Sequence, residues 1–170
     1  MQDIKIFEDS DRFWDLFWQR IDKAEKIVFV TTYDMDHKMV AAITLEKMLR
    51  AQQRGCQTVL VIDDLNFYAS REGMQKLKDA GGIVIKNNPF SVAWQFLFSR
   101  ETRHKFFNRN HQKAMLVDDC IFCGSLNIAD PYTGTRYGDN SFRDLNCFIK
   151  SGDTKKVRDF FYEILKCNED

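Results

Sequence analysis

The chain has 170 residues, with 25 Lys plus Arg against 25 Asp plus Glu and a formal net charge of +0. That length is one domain, residues 1–170, able to bury roughly two-thirds of the surface its unfolded form exposes. The charge balance excludes a strongly basic nucleic-acid footprint while leaving a local patch open, and an aromatic share of 14 %, with 15 Phe, excludes a disordered chain.

The five cysteines, at 56, 120, 123, 147 and 167, are odd in number and irregular in spacing. They read as reduced thiols of a cytoplasmic or organelle interior rather than as a disulfide framework. No targeting segment is visible in "MQDIKIFEDSDRF", and no apolar run approaches the roughly 18 residues of a spanning helix.

Taken in chain order, "IKIF" is a short strand, and Ser10 can cap a helix to about Ala24 with Phe13, Leu16, Phe17, Arg20 and Ile21 on one face. "KIVFVTTY" is rich in β-branched residues and reads as a buried strand. From about His37 to Arg54, Met39, Ala42, Ile43, Leu45, Met48 and Leu49 recur at helical spacing, and Gly55 ends the run. Asp34 and Asp36 are expected to cap this helix. "QTVLVID" is a further buried strand, "SREGMQKLKDAGG" a helix, and "GIVIKN" the next strand. "KAMLV" and "CIFCG" form a hairpin turning at Asp118-Asp119. "RDLNCFIKSG" gives a last strand and "DTKKVRDFFYEIL" a C-terminal helix.

This alternation predicts an α/β fold: a mixed, mostly parallel β-sheet flanked by helices on both faces. Two stretches stand outside the pattern. Residues 90–100, "FSVAWQFLFSR", are apolar and aromatic without a clean period; Trp94, Phe96 and Phe98 could line a lipid entry or dip into a membrane surface. Residues 130–142 are loop-like, and long irregular segments are enriched in function.

The chemistry concentrates in "HQKAMLVDDCIFCGSLN", residues 111–127. Alternate residues of a strand share a face, so His111 and Lys113 point the same way. An imidazole beside an ammonium suits an anionic substrate. The hairpin brings Ser125 and Asn127 back toward that pair. The other histidines, His37 and His104, read as surface residues. Cys120 and Cys123 read as core thiols rather than zinc ligands, because three residues apart in a strand they point to opposite faces.

These residues resemble the HKD motif of the phospholipase D superfamily, His-x-Lys-x4-Asp followed by Gly-Ser-x-Asn. His111, Lys113 and Asp118 match the first part, and Gly124, Ser125 and Asn127 the second. Five residues separate Asp118 from Gly124 where the family usually has six, a deletion assigned to the hairpin turn. Along nearly the whole chain, "TTYDMD", "RGCQTVLVID", "LKDAGGIVIKNNPF", "FFNRNHQKAMLVDD" and the "FRD" after the loop are similar to one catalytic half of the bacterial-type cardiolipin synthases.

The resemblance implies a phospholipase D-like α/β sandwich and a phosphatidyltransferase acting on phospholipid phosphodiesters, through a phosphohistidine and with neither metal nor cofactor. It implies His111, Lys113, Asp118 and Asp144 as catalytic residues, with Asp144 orienting the histidine. It implies Lys113, Ser125 and Asn127 as the groups that hold the substrate phosphate. The chemistry needs two histidines and the chain carries one motif, so the partner is a second copy of the chain or a second HKD domain. A membrane surface is expected beside it. The alternatives are a homodimeric single-motif nuclease or phosphodiesterase acting on nucleic acid, and a silent domain that binds phospholipid or protein.

Overall fold

A computed structural model of the chain describes residues 3–63, 70–87, 111–138, 142–151 and 153–166. Among these, the strands are β1 (Asp3–Phe7), β2 (Ile27–Thr32), β3 (Gln57–Asp63), β4 (Ile83–Asn87), β5 (Ala114–Val117), β6 (Cys120–Gly124) and β7 (Asn146–Lys150). The helices are α1 (Ser10–Asp22), α2 (Met39–Gln53), α3 (Arg71–Asp79) and α4 (Lys155–Lys166). The strands form one sheet in the order β1-β7-β6-β5-β2-β3-β4. The predicted 90–100 segment and His104 lie outside the described residues.

The mixed α/β sandwich expected from the sequence is present, but its balance of strand directions differs from "mostly parallel". Only β2–β3 and β3–β4 pair in parallel, while β2–β5, β5–β6, β6–β7 and β7–β1 are antiparallel. The reason is in the connections. Parallel neighbours need a crossover, and α2 and α3 supply it between β2, β3 and β4. The tight turn between β5 and β6 permits only an antiparallel pair, and β1 joins an edge by running against β7.

Both faces are covered, as the alternation of apolar residues requires. On one face Phe13, Trp14, Phe17 and Ile21 of α1 and Val40, Leu45 and Met48 of α2 pack with Val28, Val30, Leu60, Ile62, Phe122 and Phe148 of the sheet. Phe122 is a hub of edge-on ring contacts, 5.7 Å from Phe13, 5.2 Å from Phe17 and 5.1 Å from Phe148. Such pairs add about 0.5–1.5 kcal/mol each beyond their burial. On the opposite face Phe161 of α4 covers Phe29, Val59, Val61 and Leu116.

Two details of α1 differ from the sequence reading. Asp9, not Ser10, is the N-cap, accepting from Arg12 N at 3.2 Å; Asp serves there as well as Ser. The buried stripe takes Trp14 and Trp18 in place of Leu16, with Trp18 Nε1 donating to Thr44 Oγ1 at 3.0 Å. The loop after β6 folds back on this helix. Arg136 N donates to Asp11 Oδ2 at 3.1 Å, and the Arg136 and Tyr137 side chains both reach Asp15.

The β5–β6 turn is pinned by its own acid. Asp118 has φ 51°, in the left-handed region where Asp and Asn are enriched. Its carboxylate accepts from the backbone N–H groups of Glu25, Lys26 and Ile27, each at 3.0 Å. One side chain thereby fixes the hairpin to the segment that enters β2. Asp118→Ala removes three charge-assisted bonds and puts Ala, which tolerates the left-handed region less well than Asp, at φ 51°, so it should destabilise the domain by about 3 kcal/mol. Asp118→Asn should cost less, keeping one acceptor and tolerating the backbone. Urea denaturation midpoints of the two variants would check the order.

Candidate active site

The antiparallel run β2, β5, β6, β7 alternates chain direction, so the end of β2, the start of β5, the end of β6 and the start of β7 meet at one end of the sheet. Tyr33 and Asp34 follow β2, His111 and Lys113 precede β5, Ser125 and Asn127 follow β6, and Asp144 precedes β7. The register keeps these ends level, with Thr31 opposite Ala114, Ala114 opposite Cys123, and Gly124 opposite Asn146.

His111 and Lys113 come together as the strand alternation requires. Lys113 Nζ lies 3.3 Å from His111 Nδ1 and 3.2 Å from Nε2, and donates to the His111 carbonyl oxygen at 3.1 Å. His111 is exposed and Lys113 half-buried. Tyr33 backs both: its ring centroid is 4.9 Å from that of His111, and the Lys113 ammonium stands 5.6 Å over its face. Burial pushes the Lys113 ammonium below the ordinary lysine range, and the carboxylates of Asp144 and Asp34 oppose that shift.

On the neighbouring strand ends, Ser125 Oγ donates to Asp144 Oδ1 at 2.6 Å. The other Asp144 oxygen is buried and has no hydrogen-bond partner. Asn127 is buried, and its Oδ1 accepts from Asp34 N at 3.2 Å, leaving the amide Nδ2 as a donor. A parallel bridge between Met35 and Ile128, with Ile128 N donating to Asp34 O at 3.0 Å, clips the two loops together beneath it. Gly124 is required by close approach, since a Cβ there would fall 2.1 Å from Asn146 Oδ1.

The structure brings His111, Lys113, Ser125, Asn127 and Asp144 to one end of the sheet and leaves Asp118 out. Asp118 lies at the far end of β5, five extended residues or roughly 16 Å from Lys113, with its carboxylate committed to the three N–H groups described above. The structure thus sets Asp118 apart from the other expected site residues, with its carboxylate holding the hairpin turn. Asp144 was expected to accept from the imidazole; its observed donor is Ser125. Of the two expected caps of α2, Asp36 accepts from Lys38 N at 2.8 Å, while Asp130 Oδ1 reaches Val40 N at 3.3 Å. Asp34 instead faces the charge of Lys113. His37 is exposed, as expected.

Sequence reasoning missed Tyr33 and Asp34 as members of the site. The signal was available: both end the strand that pairs with β5, and antiparallel pairing carries that end to the motif. Among the described residues no group of three or more His, Cys, Asp or Glu side chains is arranged to hold a metal ion.

A mixed sheet with His-x-Lys and Gly-Ser-x-Asn on adjacent strand ends defines a phospholipase D-like domain. The chain belongs to the family described as cardiolipin synthase, PLD-like domain, whose model matches residues 17–164. It is 25 % identical over 149 residues to a cardiolipin synthase of Clostridium perfringens, covering 87 % of this chain and 30 % of that protein. It is 24 % identical over 161 residues to cardiolipin synthase 1 of Bacillus anthracis, covering 94 % and 30 %. The chain thus spans about a third of the length of these curated relatives. In fold it is similar to Nuc, a phospholipase D family member of Salmonella typhimurium, with TM-score 0.63, 17 % identity and coverage of 98 % of this chain and 93 % of that one. It is similar also to the phosphatidylserine synthase of Haemophilus influenzae, with TM-score 0.63, 17 % identity and coverage of 86 % and 33 %.

Lys113 should titrate below the ordinary value of 10.5, because burial disfavours its ammonium more than the two acids favour it. Asp34→Asn and Asp144→Asn each remove a negative charge that supports the ammonium, so each should lower the Lys113 titration further. Nitrogen NMR of the lysine ammonium against pH would read all three.

Proposed function

We propose that this domain is one catalytic half of a phosphatidyltransferase of the cardiolipin synthase type, acting on a phospholipid phosphodiester. The observation that carries the reading is the His111–Lys113 contact of 3.2 Å at the same strand ends as Ser125, Asn127 and Asp144, in a chain of this family. An imidazole nitrogen of His111 attacks phosphorus and the P–O bond to the leaving alcohol breaks. A second imidazole gives that alcohol its proton. An acceptor hydroxyl then attacks the phosphohistidine, the second imidazole takes the hydroxyl proton, and the P–N bond breaks to free His111. Splitting one displacement in two lowers each barrier.

Lys113 and the Asn127 amide hold the phosphate oxygens as charge develops. The Ser125 hydroxyl is already donated to Asp144, so in this scheme it acts on Asp144 before it acts on phosphate. Asp144 has one buried oxygen free to accept from the imidazole when His111 turns toward it. The second imidazole belongs to another copy of the chain or to a second HKD domain, and the working surface is peripheral to a membrane. Among the described residues no helix is long and apolar enough to cross one. Balanced net charge supports a lipid over a nucleic-acid polyanion.

Turnover of phosphatidylglycerol in EDTA, with single-stranded DNA as the competing substrate, tests the reading. The expected result is a label on His111 that is acid-labile, lost in His111→Asn, with the fold retained. Lys113→Ala should cost about 2.7–4 kcal/mol of transition-state stabilisation. A label on another histidine would overturn the assignment, and turnover of DNA alone would favour the nuclease reading.

If two copies complete the site, mixing wild-type and His111→Ala chains in equal amounts should leave about a quarter of the full activity, the share of dimers with both histidines. Activity that falls in proportion to the wild-type fraction would mean that each chain works alone. An isolated chain inactive at every concentration would point to a second domain.

A further inference from the structure

The cysteines hold a feature the proposed chemistry does not use. Cys123 of β6 and Cys147 of β7 stand directly opposite one another in the antiparallel register. Their neighbours Phe122 and Phe148, one residue away on each strand, point into the main core. Strand alternation therefore sends both thiols to the other face of the sheet, where each is half-buried and free. Directly opposed residues of an antiparallel pair have Cα atoms about 4.5–5.5 Å apart. A disulfide spans about 4.4–6.8 Å between Cα atoms, so this rung already has the right separation.

Two other cysteines differ. Cys56 and Cys120 are 1 % and 2 % exposed, out of reach of a dissolved oxidant. Burial and the neighbouring Asp119 push the Cys120 thiol up to about 11. The Cys123–Cys147 rung also has a special place. The next rung is Gly124 opposite Asn146, and just beyond it the Ser125–Asp144 hydrogen bond of 2.6 Å ties the same two strand ends.

We propose that Cys123 and Cys147 form a reversible dithiol–disulfide site, oxidised by a small-molecule disulfide and closing across β6 and β7 beside the Ser125–Asp144 pair. Burial pushes the Cys123 thiol up, which disfavours it as the first nucleophile. The Cys147 thiolate attacks one sulfur of oxidised glutathione and expels a glutathione thiolate. The Cys123 thiolate then attacks the Cys147 sulfur of that mixed disulfide and expels the second. Two protein thiols are oxidised, one glutathione disulfide is reduced to two thiols, and the two thiol protons pass to the leaving thiolates. The inference stands on strand register and burial and does not depend on the proposed reaction.

The test is to equilibrate the full chain, folded, over a range of reduced-to-oxidised glutathione ratios, then alkylate and digest it with trypsin without reduction. The expected product joins peptide 114–136 to peptide 144–150, and the intact protein loses the mass of two hydrogens. Cys120→Ser should keep the link, whereas Cys123→Ser and Cys147→Ser should abolish it. Cys123→Ser should instead hold glutathione on Cys147. The melting midpoint should rise on oxidation and return with dithiothreitol, as expected for a link that constrains the unfolded chain without straining the folded one. A glutathione adduct that never closes, a link to Cys120 or Cys167, or a link formed only in denaturant would overturn the proposal. So would a linked protein whose melting midpoint falls, because the rung would then have to distort to close.

Discussion

The β5–β6 hairpin sets the geometry from which the rest of the site follows. Ala114–Val117 pairs with Cys120–Cys123 without a bulge, through a turn whose first residue, Asp118, is held left-handed by three backbone donors from the segment entering β2. A slip of one residue in that register would turn every side chain of one strand to the opposite face. Lys113 and the residues after Gly124 would then no longer share a space, and one of Met115 and Phe122, both now in the core, would face the wrong way. The acid that the motif places at its third position therefore serves the site from the far end of the strand, by fixing the register in which the others meet.

What the sequence made legible was whatever depends on local pattern. Strand alternation in "CIFCG" put Cys120 and Cys123 on opposite faces, as observed; Cys120 is a core thiol as expected, whereas Cys123 is only half-buried. Period-3.6 spacing located α1 and α2, with errors of a turn position: Asp9 took the cap from Ser10, and Trp14 and Trp18 took the face from Leu16. The direction of pairing was less legible. Strand-helix-strand repetition suggests parallel neighbours, yet which strands adjoin is a tertiary choice, and β2 found β5 on its other side. The site itself was mostly legible because its residues sit two apart at strand ends. Tyr33 and Asp34 escaped notice because their membership depends on that same unpredicted β2–β5 pairing.

Electrostatics bear on what such a site can hold. Lys113 carries its charge in a half-buried position against a tyrosine face, with carboxylates at Asp34 and Asp144 whose fields favour the ammonium. Lys113 itself supplies one positive charge, and a phosphodiester bears a single negative one. A polyanion demands more, since binding that neutralises many phosphates needs a track of basic side chains, and this chain has equal numbers of acids and bases. The balance of charge thus supports the lipid reading at the scale of the chain.

The count of imidazoles imposes the last constraint. In the proposed two-step transfer one ring must be neutral at phosphorus while another is protonated at the departing oxygen, and a single imidazole cannot hold both states at once. Of the three histidines, His111 is the one in the motif, and His37 lies exposed in the loop before α2. His111 is also exposed, at the sheet end where four strand termini meet, so a second imidazole can approach it from solvent without displacing packed core. A two-fold axis passing near His111 would supply that group from an identical surface, and a second domain of the same fold would supply it from a similar one.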